Sequence, residues 1–261
     1  MSTSRLLSRF LLSLAGLAAV LGVVYYYYLM PQGVTLLSAA EEAPGAVVVV
    51  EHFTSEGCAN CRVADDLLWQ IETESRDLFH PIYCLSYQVD SRDQLGGAEA
   101  AIPKRQQAYA QRLGVTTKDP LGMIVNGTEH IAGSHQAEAV QSISKSLHRV
   151  APVQLELQVS AIERDVTVKC LARFAPEGAI LCVACVDSLV ISNPTEGANQ
   201  GRVLKSVNVV RDFRSVPLDA QFDGSVKLRR SENRDGQVIA FVQEPGPGRI
   251  LGATSAPLRG E

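Results

Sequence analysis

Hydrophobic and polar positions follow two patterns along the chain, and the change falls near residue 150. Before it, short apolar runs alternate with segments in which apolar residues recur every three or four positions. Such runs are typical of strands buried on both faces, and the helical spacing indicates amphipathic helices. The predicted order is β-α-β-α-β-β-α, with strands at 46–53, 80–89, 121–125 and 128–132 and helices at 59–73, 99–113 and 134–147. Asn126-Gly127 predicts a hairpin with a type I′ turn.

After residue 151 the chain alternates apolar and polar residues over short segments that end at turn residues such as Pro176-Glu177-Gly178. This alternation is typical of strands with one exposed face. Six strands are predicted, at 153–160, 165–175, 179–191, 202–213, 226–230 and 238–244. We therefore expect an α/β domain over 46–150, followed by an antiparallel all-β domain or extension over 151–261.

The chain begins with a long apolar segment. Residues 10–30 carry no charged side chain and, as a helix, would span about 30 Å of bilayer. Two arginines precede the segment, so the positive-inside rule predicts export of everything that follows. We interpret residues 1–30 as an N-terminal transmembrane helix and 31–45 as a linker. A cleaved signal peptide, with small residues at 38–40, is the alternative, and it also exports the body.

Composition and charge exclude several functions. The formal net charge is −4, with 24 basic and 28 acidic residues, so no positive surplus exists for binding nucleic acid. No phosphate-cradling glycine loop of the P-loop or Rossmann type occurs. A chain of 261 residues buries a core without a disulfide scaffold, and its six cysteines therefore need individual interpretation.

Cys58-Ala59-Asn60-Cys61 lies where the first strand turns into the first helix. Backbone N–H groups at a helix N-terminus favour thiolate over thiol, and they can lower a cysteine pKa to roughly 3.5–7.5. Thiolate is the attacking species in disulfide exchange. We predict Cys58 as the catalytic nucleophile and Cys61 as the resolving thiol, which together form a disulfide when oxidised. A permanent structural disulfide without turnover is the alternative.

A Cys-x-x-Cys pair is also half of many zinc sites, but the other cysteines do not complete one. Cys84 lies inside a predicted strand and is expected to be a reduced core residue. Cys182 and Cys185 lie three apart in a strand, so their side chains point to opposite faces. Cys170 is expected on a strand paired with theirs through the turn at 176–178, which makes a cross-strand disulfide geometrically feasible in one register. We expect no metal and no dissociable cofactor.

Two polar groups are open to both structural and functional interpretations. Asn199, Arg202, Asn208 and Arg211 form a cluster in the β half, where a hydrogen-bonded loop clamp is favoured over a ligand site. Asp90 and Asp93 could bind a cation, but acids in a loop more often cap a turn or helix.

The element order with Cys-x-x-Cys after the first strand resembles the thioredoxin fold. Motifs in both halves are similar to those of DUF1223, a family of exported bacterial proteins; they lie at 50–61, 87–90, 105–110, 123–127, 196–202, 208–211 and 246–253. The resemblance spans about residues 46–257 and implies a thioredoxin-like domain with a family-specific β region. It departs from the family pattern at Gln88 and Arg92, which replace a histidine and a tryptophan.

The resemblance also suggests residues that assist the cysteines. Thioredoxin-like proteins often place a buried acid beneath the pair to carry the resolving thiol's proton, and Glu51 or His52 could do this. The structural alternative is that neighbouring groups satisfy the hydrogen-bonding capacity of these side chains, which then have no catalytic role. These proteins also carry a cis-proline opposite the cysteines, for which Pro120 is the candidate. A gapless match of 123–127 puts Leu121 at that position, so either the loop shifts by one residue or the cis-proline is absent.

Two functional hypotheses follow. The first is a thiol-disulfide oxidoreductase tethered to the bacterial inner membrane, with its body on the periplasmic side, acting on exported protein thiols or disulfides. The second is a non-enzymatic envelope scaffold or binding module with a structural disulfide.

Overall fold

The computed structural model describes residues 36–37, 41–90, 95, 97–116, 120–132, 135–219, 221–233 and 235–258. Three helices lie within these residues: α1 (Cys61–Asp77), α2 (Ala98–Leu113) and α3 (Gln136–Leu147). Eleven strands accompany them: β1 (Val48–Thr54), β2 (Ile82–Gln88), β3 (Gly122–Val125), β4 (Glu129–Ile131), β5 (Gln154–Ile162), β6 (Asp165–Arg173), β7 (Ile180–Ser192), β8 (Leu204–Pro217), β9 (Gln221–Arg229), β10 (Gly236–Gln243) and β11 (Ile250–Pro257).

The main sheet combines strands from both halves of the chain. Its eight strands lie in the order β11-β10-β7-β8-β2-β1-β3-β4. Strand β1 is parallel to β2 and antiparallel to β3, and β2 is parallel to β8 through Ser86 and Val209. Because β1 lies in the interior of this sheet and is buried along its whole length, its apolar run is explained by cover on both faces. A separate sheet has the order β5-β6-β9.

Three hydrophobic clusters hold these layers together. Helix α2 packs on one face of the main sheet, where Phe53, Leu85 and Phe241 share a cluster with its Tyr109. Helices α1 and α3 pack against the side chains of β1 and β2 that point the other way. The three-stranded sheet packs against β7, β10 and β11 to form the remaining cluster.

The predicted fold class is wrong. A thioredoxin-like α/β domain followed by an antiparallel all-β domain places the two halves in different sheets, whereas β8 pairs directly with β2. The physical reason is that the outer edge of β2 carries backbone donors and acceptors that need a partner, and β8 supplies it. The domain boundary at 150 stays a prediction.

The membrane helix in that fold class finds no support. Within the described ranges, no helix is long and apolar enough to cross a membrane. The predicted segment at 10–30 lies outside the described residues.

The Asn126-Gly127 hairpin is confirmed. Strands β3 and β4 are antiparallel neighbours, and both turn residues have positive φ, 47° and 71°, as a type I′ turn requires. The predicted pairing of the Cys170 strand with the strand of Cys182 is wrong. Strand β6 pairs with β5 and β9, while β7 lies in the main sheet.

Candidate functional site

The Cys58–Cys61 disulfide lies between the end of β1 and the start of α1. The two Cα atoms are 5.4 Å apart. Cys58 is half-buried, whereas Cys61 is only 7% exposed. Helix α1 begins at Cys61, after Asn60 as the N-cap residue, and not at residue 59 as predicted. Cys61 is therefore the first helical residue, and Cys58 belongs to the preceding loop.

The loop that carries Cys58 is held by short-range hydrogen bonds. The Cys58 amide donates to the Ser55 carbonyl at 3.2 Å, and the Gly57 amide donates to Ser55 Oγ at 3.2 Å. Ser55 Oγ in turn donates to Asp90 Oδ2 at 2.5 Å. Asp90 thus fixes the turn, in agreement with its structural interpretation, while Asp93 lies outside the described residues.

A cleft of about 910 Å³ opens beside the disulfide. Most of the described residues that line the cleft have small or apolar side chains, and two histidines also line it. The lining residues are His52, Gly57, Cys58, Ala59, Asn60, Cys61, Val63, Ala64, Val115, Thr116, Pro120, Leu121, Gly122, His130, Ala132 and Ala198. The disulfide is therefore at a concave surface that can receive another molecule.

His52 lies beneath the cysteines in a buried polar network. Its Nε2 is 3.1 Å from Asp65 Oδ1, and Thr54 Oγ1 donates to Asp65 Oδ2 at 3.1 Å. His52 is fully buried, and its Nδ1 makes no hydrogen bond within the described part of the chain. With Nε2 donating to the Asp65 carboxylate, Nδ1 is an acceptor without a donor.

Glu51, the other candidate on β1, does not line the cleft. Its carboxylate accepts hydrogen bonds from Arg105 at 2.5 and 2.8 Å, from Tyr87 at 2.8 Å and from Tyr109. Burial, together with the Glu51 charge, raises the pKa of Tyr87 well above its ordinary value, so the phenol keeps its proton and donates it. Because adjacent strand residues face opposite ways, His52 and Glu51 serve different sides of β1.

The Arg105 guanidinium completes this second network. It also donates to Gln243 Oε1 at 2.9 Å and lies 5.0 Å from the ring centre of Tyr109 and 5.2 Å from that of Phe241. The buried charge is paired and has hydrogen-bonded neighbours, which is how a folded core accommodates an ion pair.

Pro120 and His130 also line the cleft. His130 Nε2 is 2.6 Å from the Leu121 carbonyl, which ties the turn before β3 to strand β4. No peptide bond among the described residues is cis, and residue 119, which precedes Pro120, is outside them.

The segment between β7 and β8 reaches the cysteine loop from the second half of the chain. Asn199 Nδ2 donates to the carbonyls of Glu56 and Cys58, at 3.0 Å each. The clamp interpretation is confirmed for Asn199. Two other predicted members lie elsewhere: Arg211 pairs with Asp187 at 2.7 Å, and Asn208 accepts a hydrogen bond from Gln237. Arg202 lies on the same segment as Asn199, with its side chain exposed.

Sequence reasoning missed Asp65. A signal was present, since Asp65 follows Cys61 by one helical turn and shares the buried side of α1 with Ala64 and Leu68. A carboxylate on the apolar side of an amphipathic helix indicates a buried partner, and here the partner is His52.

The remaining cysteines are free and buried. Burial raises the pKa of Cys170 to about 11 and, with help from Asp187, that of Cys185 to about 12. Cys182 and Cys185 belong to different hydrophobic clusters, which confirms that they point to opposite faces of β7. Across the described ranges, no group of three or more acidic, histidine or cysteine side chains is arranged to hold a metal ion.

The chain is similar in fold to two solved structures. Protein AGR_C_4864 from Agrobacterium tumefaciens is 22% identical, with a TM-score of 0.61 over 83% of this chain and 97% of its own. HBP35 of Porphyromonas gingivalis is 16% identical, with a TM-score of 0.63 over 84% of this chain and 77% of its own. None of the curated proteins matches the chain.

A family described as "Protein of unknown function (DUF1223)" matches residues 49–243. The match begins in β1 and ends with β10, so it includes the cysteine pair, the Glu51–Arg105 network and Asn199. The resemblance inferred from the motifs is therefore confirmed, and the chain belongs to the DUF1223 family.

Proposed function

We propose that the protein exchanges disulfides with exported proteins through Cys58 and Cys61. The observation that carries the proposal is the asymmetry of the pair: Cys58 is half-buried at the cleft, and Cys61 is almost fully buried. Exchange needs one sulfur that a partner can reach, and a second that can attack it once the mixed disulfide has formed.

The reaction balances without a dissociable cofactor. The Cys58 thiolate attacks one sulfur of a substrate disulfide; that S–S bond breaks, and its electron pair leaves on the other substrate sulfur. Cys61 then attacks Cys58 Sγ, which breaks the mixed disulfide and releases the second substrate thiolate. The substrate disulfide is reduced to a dithiol and the cysteine pair is oxidised. An exported protein dithiol regenerates the reduced pair by the same steps in reverse.

His52 would serve Cys61 in the second step. In the oxidised pair Cys61 has no proton, and the acceptor Nδ1 of His52 has no donor among the residues that the structure describes. Reduction creates a thiol at Cys61, which lines the same cleft as His52. Transfer of that proton to Nδ1 produces the attacking thiolate, and Asp65, bound to Nε2, stabilises the imidazolium that forms.

The predicted export of the body would suit this chemistry. The apolar segment at residues 10–30 predicts export in both interpretations of the N-terminus. An exported cysteine pair meets an oxidising environment, in which it can cycle between dithiol and disulfide.

Mixed-disulfide trapping with Cys61→Ser tests the proposal. The variant retains Cys58 but has no resolving thiol, so covalent adducts through Cys58 should accumulate in envelope extracts and disappear on reduction. Cys84→Ser in the wild-type background is the control, since Cys84 is fully buried away from the cleft. Absence of adducts, with a native disulfide that resists reduction, contradicts the proposal and favours a structural disulfide in a scaffold.

A further inference from the structure

The hairpin segment at residues 193–203 contacts the cysteine loop although the two are far apart in sequence. It joins β7 to β8, which pair at its base through Ser192 and Leu204. Backbone hydrogen bonds organise the segment internally, with the Gln200 amide on the Gly197 carbonyl at 3.2 Å and the Arg202 amide on the Asn199 carbonyl at 3.1 Å. The contact is thus made by an ordered turn.

Asn199 makes this contact polar and specific. Its side chain is 1% exposed, and one amide group donates to both Glu56 O and Cys58 O. Both carbonyls lie on the loop before α1. Removing the amide takes away both of these hydrogen bonds between the segment and the cysteine loop.

Gly197 brings the backbones of the two segments together. A Cβ on Gly197 would lie 3.3 Å from the Cα of Gly57, and its φ of +81° is a conformation that favours glycine. The neighbouring Ala198 lines the cleft beside Cys58. The segment therefore holds the cysteine loop through its own contacts, which are separate from the hydrogen bond between Ser55 and Asp90.

We propose that Asn199 is a positioning residue that sets the redox equilibrium of the Cys58–Cys61 pair. By holding the Cys58 carbonyl it keeps the loop in the conformation in which the two sulfurs join, so it stabilises the disulfide over the dithiol. The second half of the chain thereby tunes chemistry carried by the first. Any effect of Asn199 on turnover rests on the proposed function. The redox equilibrium is a property of the cysteine pair itself and does not depend on that function.

Equilibration of the full chain with reduced and oxidised dithiothreitol measures the effect. Two electrons and two protons pass from reduced dithiothreitol to the cysteine pair. The protein S–S bond breaks, and dithiothreitol closes to its cyclic disulfide. The reduced fraction is read by alkylation and mass spectrometry. For Asn199→Ala we expect the equilibrium to move about tenfold toward the protein dithiol. This corresponds to a reduction potential of the cysteine pair that is about 30 mV less negative.

Two further variants separate this role from a merely structural one. Arg202→Ala alters an exposed side chain of the same segment and should leave the equilibrium unchanged. Gly197→Ala should displace the segment while retaining Asn199, and should shift the equilibrium in the same direction as Asn199→Ala. It also provides the test if Asn199→Ala does not fold.

Identical equilibria for Asn199→Ala, Gly197→Ala and wild type, with lowered thermal stability of both redox forms, would overturn the proposal and leave Asn199 a structural clamp. Failure of the proposed function has a different signature. In that case Cys61→Ser traps no partner, while the equilibrium with dithiothreitol still responds to Asn199.

Discussion

Asp65 Oδ1 lies 3.1 Å from His52 Nε2, and Asp65 follows Cys61 by one turn of α1. The carboxylate thus links the helix that starts at the buried cysteine to the strand that runs beneath it. His52 is fully buried, and its Nδ1 has no hydrogen-bond partner in the described ranges. A buried acceptor without a donor is unusual, and the disulfide exchange proposed for the neighbouring cysteines would give it a role.

We predict that Asp65→Asn slows resolution of a mixed disulfide by about 100-fold, a typical contribution of an acid or base group. The amide keeps the size of the side chain but no longer stabilises the His52 imidazolium. Stopped-flow measurement of substrate release across pH checks this, because loss of a base changes the pH profile as well as the rate.

Asp66→Asn is the matched control, since the Asp66 side chain is 61% exposed and pairs with Arg62 on the surface of α1. Its rate should equal that of wild type. Equal rates and pH profiles for Asp65→Asn and Asp66→Asn would rule out the proton-transfer role.

We predict that Arg105→Met lowers the free energy of unfolding by about 3–5 kcal/mol, because it leaves the Glu51 carboxylate buried without its cation. Urea unfolding measures the loss. Lys145→Met removes the cation of a surface pair, Lys145–Glu129, and should cost less than about 1 kcal/mol. Similar losses for the two variants would show that the buried pair contributes no more than a surface one.

Glu72 gives a pH-dependent prediction. Burial raises its pKa above the ordinary 4.5, against the opposing effects of Asn208, Cys84 and Arg76. The folded state therefore binds this proton more tightly than the unfolded state, so its contribution to stability falls as pH rises from about 4.5 through the raised folded pKa.

Glu72→Gln should accordingly increase the free energy of unfolding at pH 7.5 and leave it unchanged at pH 3.5, where both states are protonated. Urea unfolding at the two pH values checks this, with Glu177→Gln in the exposed turn between β6 and β7 as a control that changes neither. A lower stability of Glu72→Gln at pH 7.5 would contradict the sign.

Gly127→Ala should destabilise the fold far more than Gly114→Ala. Both glycines have positive φ, 71° and 67°, but a Cβ on Gly127 would lie 2.0 Å from the Gly248 carbonyl oxygen, whereas one on Gly114 meets nothing within 4 Å. We expect a cost of about 1 kcal/mol at Gly114 from backbone strain alone and at least about 3 kcal/mol at Gly127. Thermal unfolding of the two variants compares them, and equal losses would refute the steric argument.

Local pattern was enough to predict most elements of the chain. The apolar run before Thr54 and the helical spacing after Cys61 depend on residues within a few positions of one another. The bounds of β1 were therefore predicted within two residues, and those of α1 within two residues at its start and four at its end. The Asn126-Gly127 turn is equally local. Strand β11 was missed, since its Gly252, Ala253 and Ala256 give only a weak strand pattern.

Strand neighbours are decided by pairing over long sequence distances, and no local pattern encodes them. Nothing near Ser86 indicates that Val209 lies beside it, and for this reason the predicted fold class was wrong. The pairing predicted for Cys170 was wrong for the same reason, because its strand β6 lies in the three-stranded sheet and not in the main sheet with Cys182.

The sequence by itself determined the Cys58–Cys61 motif, the family and the period of each helix and strand, because these depend on residue type and short spacing. Only the tertiary structure decided that His52 meets Asp65, that Glu51 faces Arg105 instead of the cysteines, and that Asn199 holds Cys58 from 141 positions away. A side chain's partner depends on which surfaces come together when apolar area is buried, and that outcome belongs to the whole chain.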